Sequence, residues 1–351
     1  MAYTTIDDPS AHFQCELYTG NSTTNAITFS GNSDMKPDLV WNKRRDAAYN
    51  HVLWDSTRGV TKYIASNTSS AEATFGYVSS FDTDGVTFGT ADQAVNTNGG
   101  SYVLWNWKAN GGTTASNSDG DITSTVQANT TAGFSIVTYA GNGSQDQTIG
   151  HGLGAVPKMI LFKNRSNSAY WYVYHIGTGN DTMMYLNLSN AAQSLSSQFS
   201  TPTTTTFNVS NENSTFNGYN TNTDNYVAYV FAEVQGYSKF SSYIGNGNAD
   251  GPFVYTGFKP AFIMLKRTNG SDGWFLLDAK RNPINISTNS AIRVDESGAE
   301  GSASKLIDML SNGFKLRGND GAYNGGGNPY IFMAFAENPF VTSTGIPTTA
   351  F

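Results

Sequence analysis

Two aspartates in this chain stand at the same distance from a lysine. Asp55 lies twelve residues after Lys43, and Asp278 lies twelve after Lys266; each is followed three positions later by an arginine, Arg58 and Arg281. Two carboxylates about 5–9.5 Å apart are the machinery of glycoside cleavage. These two occupy equivalent positions in different repeats, and nothing in the sequence brings them together. An Asp–Arg pair that ties down a loop is the plainer reading. At the same offset from Lys163 stands His175. The other histidines are His12, His51 and His151, and no two histidines form the i, i+4 pair of a zinc-binding helix. Cys15 is the one cysteine, so neither an internal disulfide nor a thiolate cage can form. The serine nucleophile motif Gly-x-Ser-x-Gly is absent. The acidic turns "DTDG" (82–85), "NSDGD" (117–121) and "NADG" (248–251) are ordinary turn formers. They lack the closing glutamate of a helix-loop-helix calcium loop, and calcium at them stays open. The expectation is a protein that is not an enzyme, with no cofactor and no structural metal.

Aromatic side chains offer a different chemistry. Sugar-binding surfaces present flat Trp and Tyr faces. Trp54, Trp171 and Trp274 lie near a repeated hairpin and are the candidates for glycan contact; Trp41, Trp105 and Trp107 align with apolar residues and read as core. The closing segment "NPFVTSTGIPTTAF" (338–351) is extended, and its Phe340, Val341, Ile346 and Phe351 are too sparse for a core. They are candidates for docking on this protein or on a partner.

These residues are positioned by a repeated unit. "YTGN" (18–21) returns as "YAGN" (139–142) and "YIGN" (243–246). Each copy is followed by an extended segment: "PDLVWNK" (37–43), "PKMILFK" (157–163) and "PAFIMLK" (260–266). Each closes on "YVLWNWKA" (102–109), "YVAYVFAE" (226–233) or "YIFMAFAE" (330–337). Four ordered anchors at near-constant offsets point to triplication of a domain-sized unit. The short apolar runs, opened by proline and bounded by polar loops, predict strands. The closing runs are apolar on both faces, which predicts cover on both sides. The Gly-Asn turn is expected to supply positive φ in a hairpin. One segment, "SASKLIDML" (302–310), reads as a short helix capped by "SNG". "DITSTVQAN" (121–129) reads as an added strand. The predicted fold class is all-β: three tandem antiparallel β-sandwich, jelly-roll-like domains with short helical insertions. The expected boundaries are 1–110, 111–236 and 237–351.

Composition narrows the function. Net charge is −7 with only 13% charged residues, which argues against nucleic acid as a partner. Aromatics reach 13%, enough to build cores, which argues against disorder. No stretch approaches the run of about 20 apolar residues that spans a membrane, so no membrane insertion is expected. The N-terminus lacks the basic and apolar regions of a signal peptide, so synthesis in a cytosol is expected.

"DITSTVQANTTAGFSIVTYAGNG", "IGHGLGAVPKMILFKNRS", "YVAYVFAEVQGYSKFSSYIGNGNADGPFVYTGFKPAFIMLKRT", "MLSNGFKLR" and "YIFMAFAENPF" together resemble a repeat domain of structural proteins from marine tailed bacteriophages. The resemblance covers nearly the whole chain, most strongly 110–351. It implies a non-enzymatic virion component on the particle surface, as a tail fibre, tail-associated or head decoration protein. Other virion proteins would be its partners, with host attachment as a secondary role and a homo-trimer as the oligomer such fibres form. It brings no catalytic residues. The chain departs from that pattern in having no heptads and no fibrous shaft. The competing reading is a carbohydrate-binding protein that contacts host surface glycans.

Overall fold

The computed structural model describes residues 2–89, 91–180, 182–194, 200–210, 219–283, 287–304 and 306–348. Its regular structure is almost entirely antiparallel strand. Three larger sheets follow one another along the chain, and each contains the same four strands in the same spatial order. The opening strands are Phe13–Thr19, Phe134–Ala140 and Ser238–Ile244. Beside them run the closing strands, Ser101–Trp107, Asn225–Ala232 and Pro329–Pro339. Next come the lysine strands, Leu39–Arg44, Pro157–Asn164 and Phe258–Arg267. The aspartate-position strands Val52–Asp55, Tyr172–His175 and Phe275–Asp278 complete the set. Registers match as well: Phe13 opposes Trp107, Phe134 opposes Phe231 and Ser238 opposes Phe335.

Each sheet packs one face on a small sheet of its own unit, around a separate apolar cluster. The opposite faces of all three meet in a fourth cluster shared by the whole chain. Trp107, Phe231 and Phe335 hold the same position on the three closing strands. Their ring centroids form a triangle with sides of 6.3, 5.7 and 6.0 Å. The closing strands are therefore apolar on both faces because each lies between its own small sheet and the shared centre.

The repeated Tyr-x-Gly-Asn has a different cause from the one expected. Gly20, Gly141 and Gly245 are not among the residues of positive φ. A Cβ on each would stand 2.2, 2.3 and 2.4 Å from the carbonyl oxygens of Thr97, Thr221 and Gly325. Glycine is required because another backbone passes too close for any side chain. The tyrosine hydroxyls donate into the same crossing segment, Tyr18 to Val95 O, Tyr139 to Tyr219 O and Tyr243 to Tyr323 O. The backbone amides of Asn21, Asn142 and Asn246 each donate to the Oδ1 of Asn96, Asn220 and Asn324 at 3.0 Å.

Two further expectations meet the structure. Residues 302–304 and 306–310 are not helical. Gly301–Ser304 and Ile307–Leu310 are strands, and the latter forms a hairpin with Gly313–Leu316. Ile307 and Met309 point inward and alternate with the less buried Asp308 and Leu310, the period of two of a strand. The helical elements among the described residues are the 3₁₀ turn Pro9–Ala11 and the single turn Gly321–Asn324. The added strand is present as Ser124–Asn129, preceded by Ala115–Asn117, and it lengthens the second sheet beyond its opening strand. Among the described residues no helix is long and apolar enough to cross a membrane.

Candidate functional site

The repeated polar residues lie at the seams between units, and they connect the units in a cycle. Buried Lys43 donates through Nζ to Ser297 O of the third unit and to its own unit's Arg44 O. Lys163 reaches Ser69 O of the first unit, and Lys266 reaches Ser189 O of the second. Burial pulls each ammonium down to about 8. Eight residues after each lysine comes a ring that donates to the same neighbour. Trp171 Nε1 bonds Ala65 O and Trp274 Nε1 bonds Tyr185 O, both at 2.8 Å, while His51 Nε2 bonds Arg293 O at 2.9 Å.

The twelfth position points the other way round the cycle. Asp55 pairs with Arg58 at 2.5 Å and accepts the Tyr229 hydroxyl of the second unit at 2.8 Å. Arg58 continues to Glu72, which is also held by Arg165 of the second unit. Asp278 pairs with Arg281 at 2.6 Å and accepts Trp105 Nε1 of the first unit at 3.0 Å. Arg281 continues to Glu300, which is held by Arg45 of the first unit. The adjacent carboxylates keep both buried arginines charged and raise their pKa values. The third seam carries no charge at these positions. The closing-strand residue there is Met333, which has no proton to donate, and the aspartate is replaced by His175. Its Nε2 donates to Phe332 O at 3.1 Å and its Nδ1 accepts from Gly177 N at 2.9 Å. One backbone bond recurs at all three seams: Glu72 N to Arg165 O, Glu300 N to Arg45 O and Ala192 N to Thr268 O.

This geometry decides the sequence candidates. Asp55 and Asp278 lie at different seams, both fully buried, with separate cationic and donor partners. They do not form the carboxylate pair of a glycosidase. Trp54, Trp171 and Trp274 offer no sugar platform. Trp171 and Trp274 are spent in the seams, and Trp54 packs inside its own unit against Phe88 and Tyr77. All three are at most 1% exposed, and a ring with no exposed face cannot stack on a sugar. Cys15 is buried, and burial pushes its thiol up, away from the reactive thiolate. The acidic turns are occupied by protein partners. Asp82 accepts Ser80 and Thr87 hydroxyls, Asp121 accepts Thr148, and Asp250 pairs with Lys315 at 2.8 Å. Among the described residues no three His, Cys, Asp or Glu side chains gather as a metal would need.

The tails meet each other. Ser343 N donates to Asp7 Oδ1 at 2.6 Å, and Tyr3 Oη donates to Gly257 O at 2.7 Å. Phe340 and Val341 are half-buried, Val341 bridging Pro347, while Ile346 is 63% exposed. Phe351 lies outside the described residues. A cavity of about 330 Å³ opens at the seam of the third and first units, between the first opening strand and Ala279, Lys280 and Glu337.

Sequence reasoning missed Asn96, Asn220 and Asn324, each six residues before a closing tyrosine. That spacing was the signal for them. It missed the seam network because a cyclic contact leaves no trace in one unit. The covariation of Asp with a Trp or Tyr, and of His with Met, becomes readable only once the neighbours are known.

No curated protein matches the chain. One family model spans residues 8–339, so a single match takes in all three sheets. The chain belongs to the family described as a domain of unknown function, DUF7483.

Proposed function

We propose that this chain is a non-enzymatic structural component displayed on the surface of a tailed-phage particle, built by triplication of one β-sandwich unit. The observation that carries the reading is the use of the recurring polar residues. Lysine, Trp or His, and Asp or His are buried at each seam and bonded to the neighbouring unit. Groups saturated in this way hold a scaffold together and have no proton or charge left for a substrate. Among the polar side chains the uncharged ones far outnumber the 13% that are charged, which suits a displayed, non-adhesive surface. The chain assembles three equivalent units by itself, a layout otherwise made by three subunits. The reading is therefore of a monomeric building block held by other virion proteins.

The test is direct. Peptide sequencing of purified particles should recover this chain at a fixed stoichiometry to the major capsid or tail proteins. Antibody raised against the folded chain should decorate intact particles. Its absence from purified particles made by infected cells that contain the protein overturns the proposal.

A further inference from the structure

The three seams differ at one equivalent place. At the first–second seam, the outer edge of the second opening strand is paired with Ser124–Asn129, with Gln127 opposite Ile136 and Asn129 opposite Phe134. The Gln127 side chain pins that strand to the first unit. Its Oε1 accepts Asn110 N and Gly112 N, and its Nε2 donates to Ser56 and Thr57 hydroxyls. At the second–third seam, the third opening strand is at a sheet edge, and Glu233 covers it. Its carboxylate accepts Phe240 N and pairs with Lys239.

At the third–first seam the same place is empty space. The opening strand Phe13–Thr19 is an edge strand. Facing it are Ala279 and Lys280, the counterparts of Ser56 and Thr57, and Asn338, the counterpart of Asn110. Glu337, the counterpart of Glu233, is turned to Lys259 of its own unit. The loop Ser30–Asn32 closes the remaining side of the cavity. In the second unit the corresponding loop packs on the added strand, where a Cβ on Gly152 would touch Val126 and Ala128 at 3.3 Å. The cavity thus has the lining of an occupied strand slot without the strand.

We propose that this slot receives an extended segment of another protein chain, adding antiparallel to Phe13–Thr19. The chemistry of the segment follows from the occupied counterpart: small, uncharged, β-favouring residues, with a Gln or Glu opposite Cys15. That side chain would accept a hydrogen bond from Lys280, which now reaches Ser30 Oγ at 2.6 Å and the Glu16 carboxylate at 3.5 Å. Edge strands recruit such segments through main-chain hydrogen bonds, with side-chain pockets supplying selectivity. A second copy of this chain is not the donor. Its matching strand is already seated, and withdrawing it would break the four partners of Gln127. This interaction site stands whether or not the particle is a virion.

The probe is the synthetic nonapeptide ITSTVQANT, identical to residues 122–130, added to the intact protein. Hydrogen exchange by mass spectrometry should show about tenfold slower exchange in Phe13–Leu17 with peptide present. A peptide with the Thr125→Pro change, which removes a donor aimed at the opening strand, should give no protection. An Ala279→Trp protein, which fills the slot, should keep its thermal midpoint and lose the effect. The proposal is overturned if millimolar peptide leaves the exchange of Phe13–Leu17 unchanged. Undiminished protection in Ala279→Trp, or protection confined to the first–second seam, overturns it too. A concentration-dependent doubling of mass that itself protects Phe13–Leu17 would assign the slot to a second copy instead.

Discussion

Three histidines share one bonding pattern, and it fixes their protonation. His51, His151 and His175 each face a carbonyl through Nε2: Arg293 O, Thr203 O and Phe332 O. Each also accepts an N–H at Nδ1, from Trp41, Leu153 and Gly177. One ring nitrogen donates and the other accepts, so each ring is neutral in the fold. Burial acts in the same direction and holds His175 down to about 4. In the unfolded chain a histidine takes up its proton near pH 6.5. Between those values the unfolded state binds more protons than the folded one, so stability is present above pH 6.5 and lost as pH falls toward 4. For His175 the loss is about 3 kcal/mol. Urea unfolding followed from pH 7.5 to 4.5 should show this decline. His175→Gln should be less stable at pH 7.5 and flatter across the range; an equal slope would remove the histidine from the account. The aspartates lead to a second expectation. Asp278→Ala leaves the buried Arg281 guanidinium with Glu300 as its remaining carboxylate and unpairs Trp105 Nε1, which should cost roughly 2–4 kcal/mol. Asp55→Ala should do the same to Arg58 and Tyr229. If either aspartate were instead catalytic, its variant would lose activity with its melting temperature unchanged.

Turns and strands carry the repeat, and here the sequence was only partly legible. Short apolar runs bounded by Pro and Gly identified the strands, because a buried strand leaves a compact hydrophobic signature. The hairpin at Ile307–Leu310 was misread, since five apolar positions in nine residues fit either period. The glycines of Tyr-x-Gly-Asn were visible as a repeat, but their reason was not. The backbone they admit lies about 80 residues further along the chain in each unit. The structure predicts the outcome of filling that space. Gly141→Ala would put a Cβ 2.3 Å from Thr221 O, a backbone atom held by the stacked Tyr139–Tyr226 pair. It should destabilise by roughly 1–3 kcal/mol. Gly154→Ala offers the contrast: it has no atom within 4 Å of its added Cβ but has a φ of +67°, so its cost is backbone strain alone, roughly 1 kcal/mol. Thermal denaturation of the two variants side by side separates close approach from dihedral preference. Equal midpoints would mean that the crossing segment yields.

At the scale of the whole chain, the decisive feature is that the largest apolar cluster belongs to no single unit. Trp107, Phe231 and Phe335 close it, and each seam adds a buried lysine, a donor ring and an Asp or His. A unit taken alone would expose a whole sheet face of Trp, Phe, Met and Leu, and separation would take the carboxylate partners from Arg45 and Arg165 and the Tyr229 and Trp105 donors from Asp55 and Asp278. Burial on that scale decides folding, because net stability is only a small remainder of large opposing terms. Three sandwiches on flexible linkers would melt as separate units; three sandwiches sharing a centre should melt as one. The full chain should therefore unfold in a single transition, with calorimetric and van't Hoff enthalpies in agreement. It should elute as a monomer of 37.8 kDa. Residues 237–351 expressed alone should lack a cooperative transition and bind hydrophobic dye. Adding residues 1–236 as a second polypeptide should restore that transition and quench the dye, because the seams supply the specificity. A fragment that folds cooperatively without its neighbours would show that the shared centre is a contact between finished domains, and the seam residues would then be adhesive rather than structural.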